Sequence, residues 1–220
     1  MALRTWSTNK AQLHLMEKMD FHCETRLKND RGEGIDTLYF VKEITGKGIR
    51  AYGYTIGNGK CGIRNTITDV PGVKVGHYTV RKGKNQTGVT VIIPCDGFVY
   101  ERKPLAAVYA LNGFGKTQGT VQIEELGVLE TPIALTNTLN VGKAADGLVT
   151  FTEKECRKNG KELVSVNPVV GETNDSRINQ ITERVIEAED VLFAIEHAEK
   201  NFKQGASLLY TSPSPRDATL

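Results

Sequence analysis

Residues 69–94 read DVPGVKVGHYTVRKGKNQTGVTVIIP. Proline holds φ at about −65° and glycine accepts positive φ, so Pro71 and Gly72 form the centre of a type II turn. After the turn, residues 73–80 alternate as a strand does, and residues 87–94 are rich in β-branched side chains, as in a more buried strand. Further on, residues 132–136 form a short buried strand. Asn140 then stands where an N-cap is expected, and Val141, Ala144, Ala145, Leu148, Val149 and Cys156 fall near one helical face. Residues 163–166 read as the strand that closes a strand–helix–strand unit. A last helix is expected over residues 187–202, with Val191, Ile195, Ala198 and Phe202 in phase. Its first turn carries Glu187, Glu189 and Asp190, which suit the positive end of the helix dipole. Residues 120–126 fit a short helix. Residues 104–111 fit either element, with Gly113 and Gly115 favouring a strand by stopping the run. The whole reads as an α/β domain over residues 47–206, without an internal repeat.

The flanks differ in texture. Residues 1–46 are polar and weakly periodic. Trp6, Leu13, Leu15 and Met16 make one possible helical face, residues 37–44 read as a strand, and nothing there resembles a site. Residues 207–220, SLLYTSPSPRDATL, have no pattern that packs and read as a disordered end. The chain has 220 residues, 39% hydrophobic and 25% charged, with 22 glycines and a formal net charge of +2. Such balance argues against a nucleic-acid binder that works through a basic field. No apolar run is long enough for a membrane helix, and the first twenty or so residues lack the apolar segment of a signal peptide. Cys23, Cys61, Cys95 and Cys156 lie far apart with no CxxC pair, which suits reduced thiols in the cytoplasm rather than disulfides or zinc.

Three segments are candidates for chemistry. ALNGFGKT at residues 110–117 ends like a phosphate-binding loop, but Ala110 stands where that loop needs glycine, and a close-packed glycine-rich turn is the better reading. LTNTLN at residues 135–140 places short polar side chains between a strand and a helix N-terminus. They suit a carboxylate or an oxyanion, although capping by Asn137 or Asn140 is the stronger reading from local pattern alone. NPVVGETND at residues 167–175 carries Glu172 and Asp175, which suit a substrate amine or, equally, a solvated turn. His77 reads as a packed strand residue rather than a base. No pair of histidines has metal-ligand spacing, no GxSxG elbow occurs, and no cysteine sits in a nucleophile motif, so no metal or cofactor is implied.

Four strings in order carry a resemblance: NTITDVPGVKVGH at 65–77, LNGFGK at 111–116, ETPIALTNT at 130–138 and VNPVVGETND at 166–175. Together they resemble the P1 family of peptidases, the DmpA-like L-aminopeptidase/D-amidase-esterases and β-peptidyl aminopeptidases. The resemblance covers residues 47–206. It implies an Ntn-hydrolase-like αββα sandwich, incomplete in this chain, and a precursor that cuts itself at a Gly-Ser bond. The freed serine would then be the nucleophile, with its own α-amine as adjacent base at a pKa of about 7.7–8.0. The implied reaction releases N-terminal residues from short peptides, amides or esters through an acyl-enzyme.

The chain departs from that pattern. No Gly-Ser dipeptide occurs, and Gly119-Thr120 lies too early for a threonine-type cleavage site. The matched part corresponds to the family's α-chain, so the nucleophile is expected downstream and the chain alone is expected to be inactive. Residues 207–220 resemble translated sequencing adapter, and residues 1–46 have no counterpart in the family. What carries over is the substrate side: Thr136, Asn137, Glu172 and Asn174. Some relatives have tyrosine at the position of Asn174, where it stabilises the tetrahedral intermediate, so Asn174 is a pocket or oxyanion candidate with a shorter reach. The expected partner is a small peptide or amide, not nucleic acid or membrane, and the complete protein is expected to be a homo-oligomer in the cytoplasm. Two other readings stay open: an acyltransferase of the ornithine acetyltransferase type, and a non-catalytic binding or assembly module.

Overall fold

The computed structural model describes residues 2–18, 21–41, 57–110 and 115–202. The main sheet has four strands: β4 (Lys74–Lys82), β5 (Asn85–Ile93), β6 (Ile133–Asn137) and β7 (Val169–Thr173), in the order β4-β5-β6-β7. The first three run antiparallel, while β7 lies parallel to β6. A parallel pair needs a crossover, and α4 (Val141–Lys158) supplies it. With α5 (Ala188–Glu196), α4 covers one face of the sheet. Between them lies the principal core, in which Val89, Val91, Ala134, Leu148, Val170, Ile186, Val191 and Ala194 are buried. Two short helices, α2 (Val99–Arg102) and α3 (Thr120–Leu126), pack a smaller cluster of Val99, Ile123, Leu129 and Val169. A sheet backed by a helix layer is the α/β architecture that the sequence implied.

Glycine sets the spacing between α5 and the sheet. A Cβ on Gly76 would lie 1.8 Å from the Ala194 carbonyl oxygen, so β4 and α5 meet backbone to backbone. The expected turn is present, with Gly72 at φ +84° and the Val73 amide donating to Val70 O at 3.2 Å.

Three expectations are corrected. The closing strand is Val169–Thr173, not residues 163–166. Val164 is 89% exposed, whereas Val170 is 1% exposed. Anchoring decides this register. The Asn167 amide and Nδ2 donate to Glu130 Oε2 at 2.9 and 3.0 Å, and the Val169 amide donates to Thr131 Oγ1 at 3.2 Å. Residues 104–110 make no strand: Leu105 forms a single bridge to Val128 and is 92% exposed. Residues 111–114 lie outside the described residues. The last helix stops at Glu196, because Glu199 turns back onto the outer edge of β4. There Glu199 and Val75 exchange two backbone hydrogen bonds of 3.0 and 3.1 Å.

The N-terminal segment forms its own three-stranded antiparallel sheet. Its strands are β1 (Ala2–Trp6), β2 (His22–Leu27) and β3 (Thr37–Val41), in the order β1-β3-β2, with α1 (Lys10–Lys18) between β1 and β2. The proposed apolar helical face is not formed. Trp6 ends a strand, Leu15 is 51% exposed, and Met16 is the buried residue of α1. Asn9 separates the two elements, its Oδ1 accepting from the Gln12 amide at 3.2 Å in the manner of an N-cap. The strand expected over residues 37–44 is seen as far as Val41, beyond which the described residues end.

Candidate functional site

The parallel strands β6 and β7 end side by side, with Thr136 opposite Glu172 and Asn137 opposite Thr173. After β6 the chain makes one 3-10 turn, Thr138–Asn140, and enters α4. Crevices at the carboxyl ends of strands in such units are the usual place for a ligand.

Glu172 lies half-buried at this mouth. Its Oε2 accepts a hydrogen bond from the Thr138 hydroxyl, and its Oε1 accepts from the Lys116 backbone amide at 3.1 Å. The carboxylate is thus held from two sides by groups distant in sequence. A Cβ on Gly115 would lie 3.6 Å from Glu172 Oε1, an ordinary contact, so the loop's approach does not depend on glycine there. The loop belongs to the segment that resembled a phosphate-binding motif. Its described residues act through a backbone amide and meet a carboxylate.

The other sequence candidates separate from Glu172. Thr136 is fully buried and its hydroxyl donates to Gly88 O at 3.0 Å, which ties β6 to β5. Asn137 is fully buried as well, and its Nδ2 donates to Thr87 Oγ1 at 2.8 Å. Thr87 in turn donates to Asp175 Oδ2 at 2.6 Å, and Asn179 Nδ2 donates to Asp175 Oδ1 at 3.1 Å. Asp175, 2% exposed, is therefore an internal acceptor rather than a group facing a ligand. Burial pushes its carboxyl above the usual range, against the Thr87 and Asn179 hydrogen bonds that pull it down. Asn174 is exposed in the loop after β7, where its Oδ1 accepts from the Ser176 amide at 3.0 Å.

Side-chain capping, the stronger local reading of the LTNTLN segment, is not what forms. Asn140 occupies the N-cap of α4 without a side-chain capping bond, and Asn137 points its amide at Thr87. His77 is a strand residue whose Nδ1 lies 2.8 Å from Thr90 Oγ1, with the Phe202 ring centred 5.8 Å away, as its packed reading implies. Among the described residues no group of three or more His, Cys, Asp and Glu is placed to hold a metal. Likewise, no described helix is long and apolar enough to cross a membrane. Thr138 lay within the LTNTLN segment without being singled out, and Thr87 and Asn179 were missed; nothing in a strand pattern announces that Thr87 meets Asp175, 88 residues away.

Comparison with known proteins gives a consistent picture. The model of peptidase family S58 matches residues 65–207. The β-peptidyl aminopeptidase BapA of Sphingosinicella microcystinivorans is 35% identical over 150 residues, covering 64% of this chain and 36% of that protein. Among solved structures, a Burkholderia sp. β-aminopeptidase superposes with a TM-score of 0.61 at 41% identity, covering 68% of this chain and 43% of its own. The L-aminopeptidase D-Ala-esterase/amidase of Ochrobactrum anthropi, described as a prototype serine aminopeptidase with a variant of the Ntn hydrolase fold, also has a TM-score of 0.61. It is 30% identical, and the match covers 69% of this chain and 44% of that one. The chain spans little more than a third of the curated relative's length.

Proposed function

The chain belongs to peptidase family S58, and from that premise we propose that it supplies the substrate-binding side of a serine-type aminopeptidase or amidase. The observation that carries the proposal is the placement of Glu172. Its carboxylate stands at the mouth of the β6–β7 pair, oriented by the Thr138 hydroxyl and the Lys116 amide. A half-buried, oriented carboxylate is a receptor for an ammonium group, the feature that an aminopeptidase must recognise. In this reading Glu172 takes the substrate amine and Asn174 borders the pocket from the loop beyond β7. Thr136 and Asn137 lie buried behind it and fix β6 to β5 through Gly88 and Thr87.

The reaction proposed is release of an N-terminal residue from a short peptide, amide or ester through an acyl-enzyme. The serine nucleophile would come from sequence beyond this chain, freed by self-cleavage at a Gly-Ser bond. Residues 47–206 would be the enzyme's α-chain portion, residues 1–46 an extension, and residues 207–220 an unrelated tail. The complete protein would act on small substrates in the cytoplasm as a homo-oligomer, without a cofactor.

The test uses the 220-residue chain with L-alaninamide for binding and aminoacyl-p-nitroanilides for turnover. Binding is expected without turnover, and Glu172→Gln is expected to abolish the binding. Turnover that Glu172→Gln leaves intact would overturn both the site and the expected inactivity.

A further inference from the structure

Arg184 follows the 3-10 turn Ile181–Glu183, and its φ of +48° puts it in the left-handed region. Glycine and asparagine adopt that conformation readily, whereas a residue with a long side chain does so at a cost. The guanidinium is placed against the local field as well. Arg184 Nε donates to Leu139 O at 3.1 Å, beside the N-terminus of α4, where the helix dipole is positive and Lys143 already stands in the first turn. Neither the backbone nor the electrostatics favours arginine here. An outlier of this kind persists only where its surroundings hold it, and it points to a role for the contact that it makes.

The surroundings do hold it. The turn before Arg184 is fixed on the β4–β5 hairpin, where the Gln180 amide donates to Lys84 O at 2.9 Å and Asn85 Nδ2 donates to Glu183 Oε2 at 2.6 Å. On the other side, Lys143 Nζ donates to Arg184 O at 2.7 Å and pairs with Glu187. Arg184 is thus anchored to the hairpin and to α4, and its side chain reaches from there to Leu139. Leu139 is the middle residue of the turn Thr138–Asn140, whose first residue donates its hydroxyl proton to Glu172. Holding the Leu139 carbonyl limits rotation of this turn, and with it the direction of the Thr138 hydroxyl.

We propose that Arg184 is a positioning residue for Glu172: it holds the turn Thr138–Asn140 in the setting that aims the Thr138 hydroxyl at the carboxylate. The proposal rests on the reading of Glu172 given above and adds a residue outside the segments that the sequence marked as candidates for chemistry. Arg184 need not touch the ligand. It acts through preorganisation: without it the carboxylate has to be oriented at the moment of binding, and that cost falls on affinity.

Variants at this one position of the 220-residue chain separate the side chain from the backbone. Arg184→Gly suits the left-handed backbone but has no donor, so it should bind L-alaninamide about fivefold more weakly, the worth of about one hydrogen bond. Arg184→Ala should lose the same factor yet melt about 2–4 °C below Arg184→Gly, because alanine keeps the backbone strain. Arg184→Gln has an N–H donor as many bonds from Cα as Nε is, and it should return the affinity to within about twofold of the wild type. Without ligand, the NMR signals of the Thr138 methyl and the Glu172 carboxyl should move in Arg184→Gly and return in Arg184→Gln. Wild-type affinity in Arg184→Gly, or unmoved Thr138 and Glu172 signals, overturns the proposal. So does affinity that ranks the variants by melting temperature, the mark of a purely structural role. Loss of alaninamide binding in Glu172→Gln would uphold the Glu172 site even then. If the wild type binds no alaninamide while the signals respond as expected, Arg184 positions the turn and the ligand reading of Glu172 falls.

Discussion

Replacing Gly76 with alanine tests whether the sheet and α5 truly meet backbone to backbone. The added Cβ would lie 1.8 Å from the Ala194 oxygen, 2.8 Å from the Ala194 carbonyl carbon and 3.1 Å from Ala198 Cα. A relaxed carbon–oxygen approach is about 3.4 Å, so α5 has to retreat by about 1.5 Å. That retreat opens the seam at which the fully buried Val191 and Ala194 meet the sheet. A gap of under 1 Å already forfeits a quarter to a half of each contact's attraction, so the cost falls at about 3 kcal/mol, the upper end for overpacked cores. Alanine returns about 0.5–1 kcal/mol through its lower chain entropy in a strand. The net loss is about 2–2.5 kcal/mol, which lowers a urea midpoint by about 1–1.25 M at a slope of about 2 kcal/mol/M. Circular dichroism during urea unfolding reads it directly. Gly142→Ala is the matched control, because its Cβ meets nothing within 4 Å and it lies in α4. It should leave stability unchanged or raise it by up to about 1 kcal/mol. A Gly76→Ala midpoint equal to the wild type's would refute the backbone contact and the packing of α5 derived from it.

Other outcomes follow from single contacts. Leu148→Ala, at a fully buried position in the core beneath α4, should cost about 3 kcal/mol by the same urea assay. Glu130 is drawn upward by burial but held below its usual range on balance by Lys103 and Asn167. Its stabilisation is therefore present above the unfolded carboxyl pKa and lost as pH falls through the folded one, so Glu130→Gln should destabilise by about 2 kcal/mol at neutral pH and progressively less in acid. Asp175 is shifted the opposite way, upward by burial, so its ionisation costs stability as pH rises. The stability of Asp175→Asn minus that of the wild type should thus increase with pH and flatten once the wild-type carboxyl is ionised; a difference that falls with pH would show that the hydrogen bonds outweigh burial.

Most of the α/β core was legible because its signals are local. The Pro71–Gly72 turn, the β-branched run of β5 and the apolar stripe of α4 each follow from neighbouring residues, and the structure has them within a few positions. Errors arose where a distant partner decides. The run at 163–166 has strand composition, yet Glu130 and Thr131 anchor residues 167–169 and pass the pairing to Val169 and Val170. Similarly, the stripe through Ala198 and Phe202 continues helical phase, but β4 has an unpaired edge at Val75 that Glu199 satisfies. The N-terminal sheet was invisible except for β3. Its buried apolar residues, Met16, Phe21, Leu38 and Tyr39, follow no simple alternation, and its polar contacts, such as Arg26 with Asp36 and Thr37 with Asp30, leave no local pattern.

The candidate site was legible as a list of residues and illegible as an arrangement. Thr136, Asn137, Glu172 and Asn174 are all short polar groups at strand ends, and nothing in their spacing says which turn inward. The sheet order decides this. β6 is a central strand, so β5 lies on one side and takes the Thr136 hydroxyl on Gly88 and the Asn137 amide on Thr87. β7 is the outermost strand of its sheet among the described residues, where Glu172 is bonded by the flanking Thr138 and Lys116. Those two partners use a single hydrogen bond each, while a carboxylate has about four acceptor positions. Glu172 therefore keeps capacity for a cationic donor, whereas Asp175, with both oxygens engaged and 2% exposure, does not. Two carboxylates three residues apart are in this way divided into one with room for a further donor and one engaged by Thr87 and Asn179 in the interior.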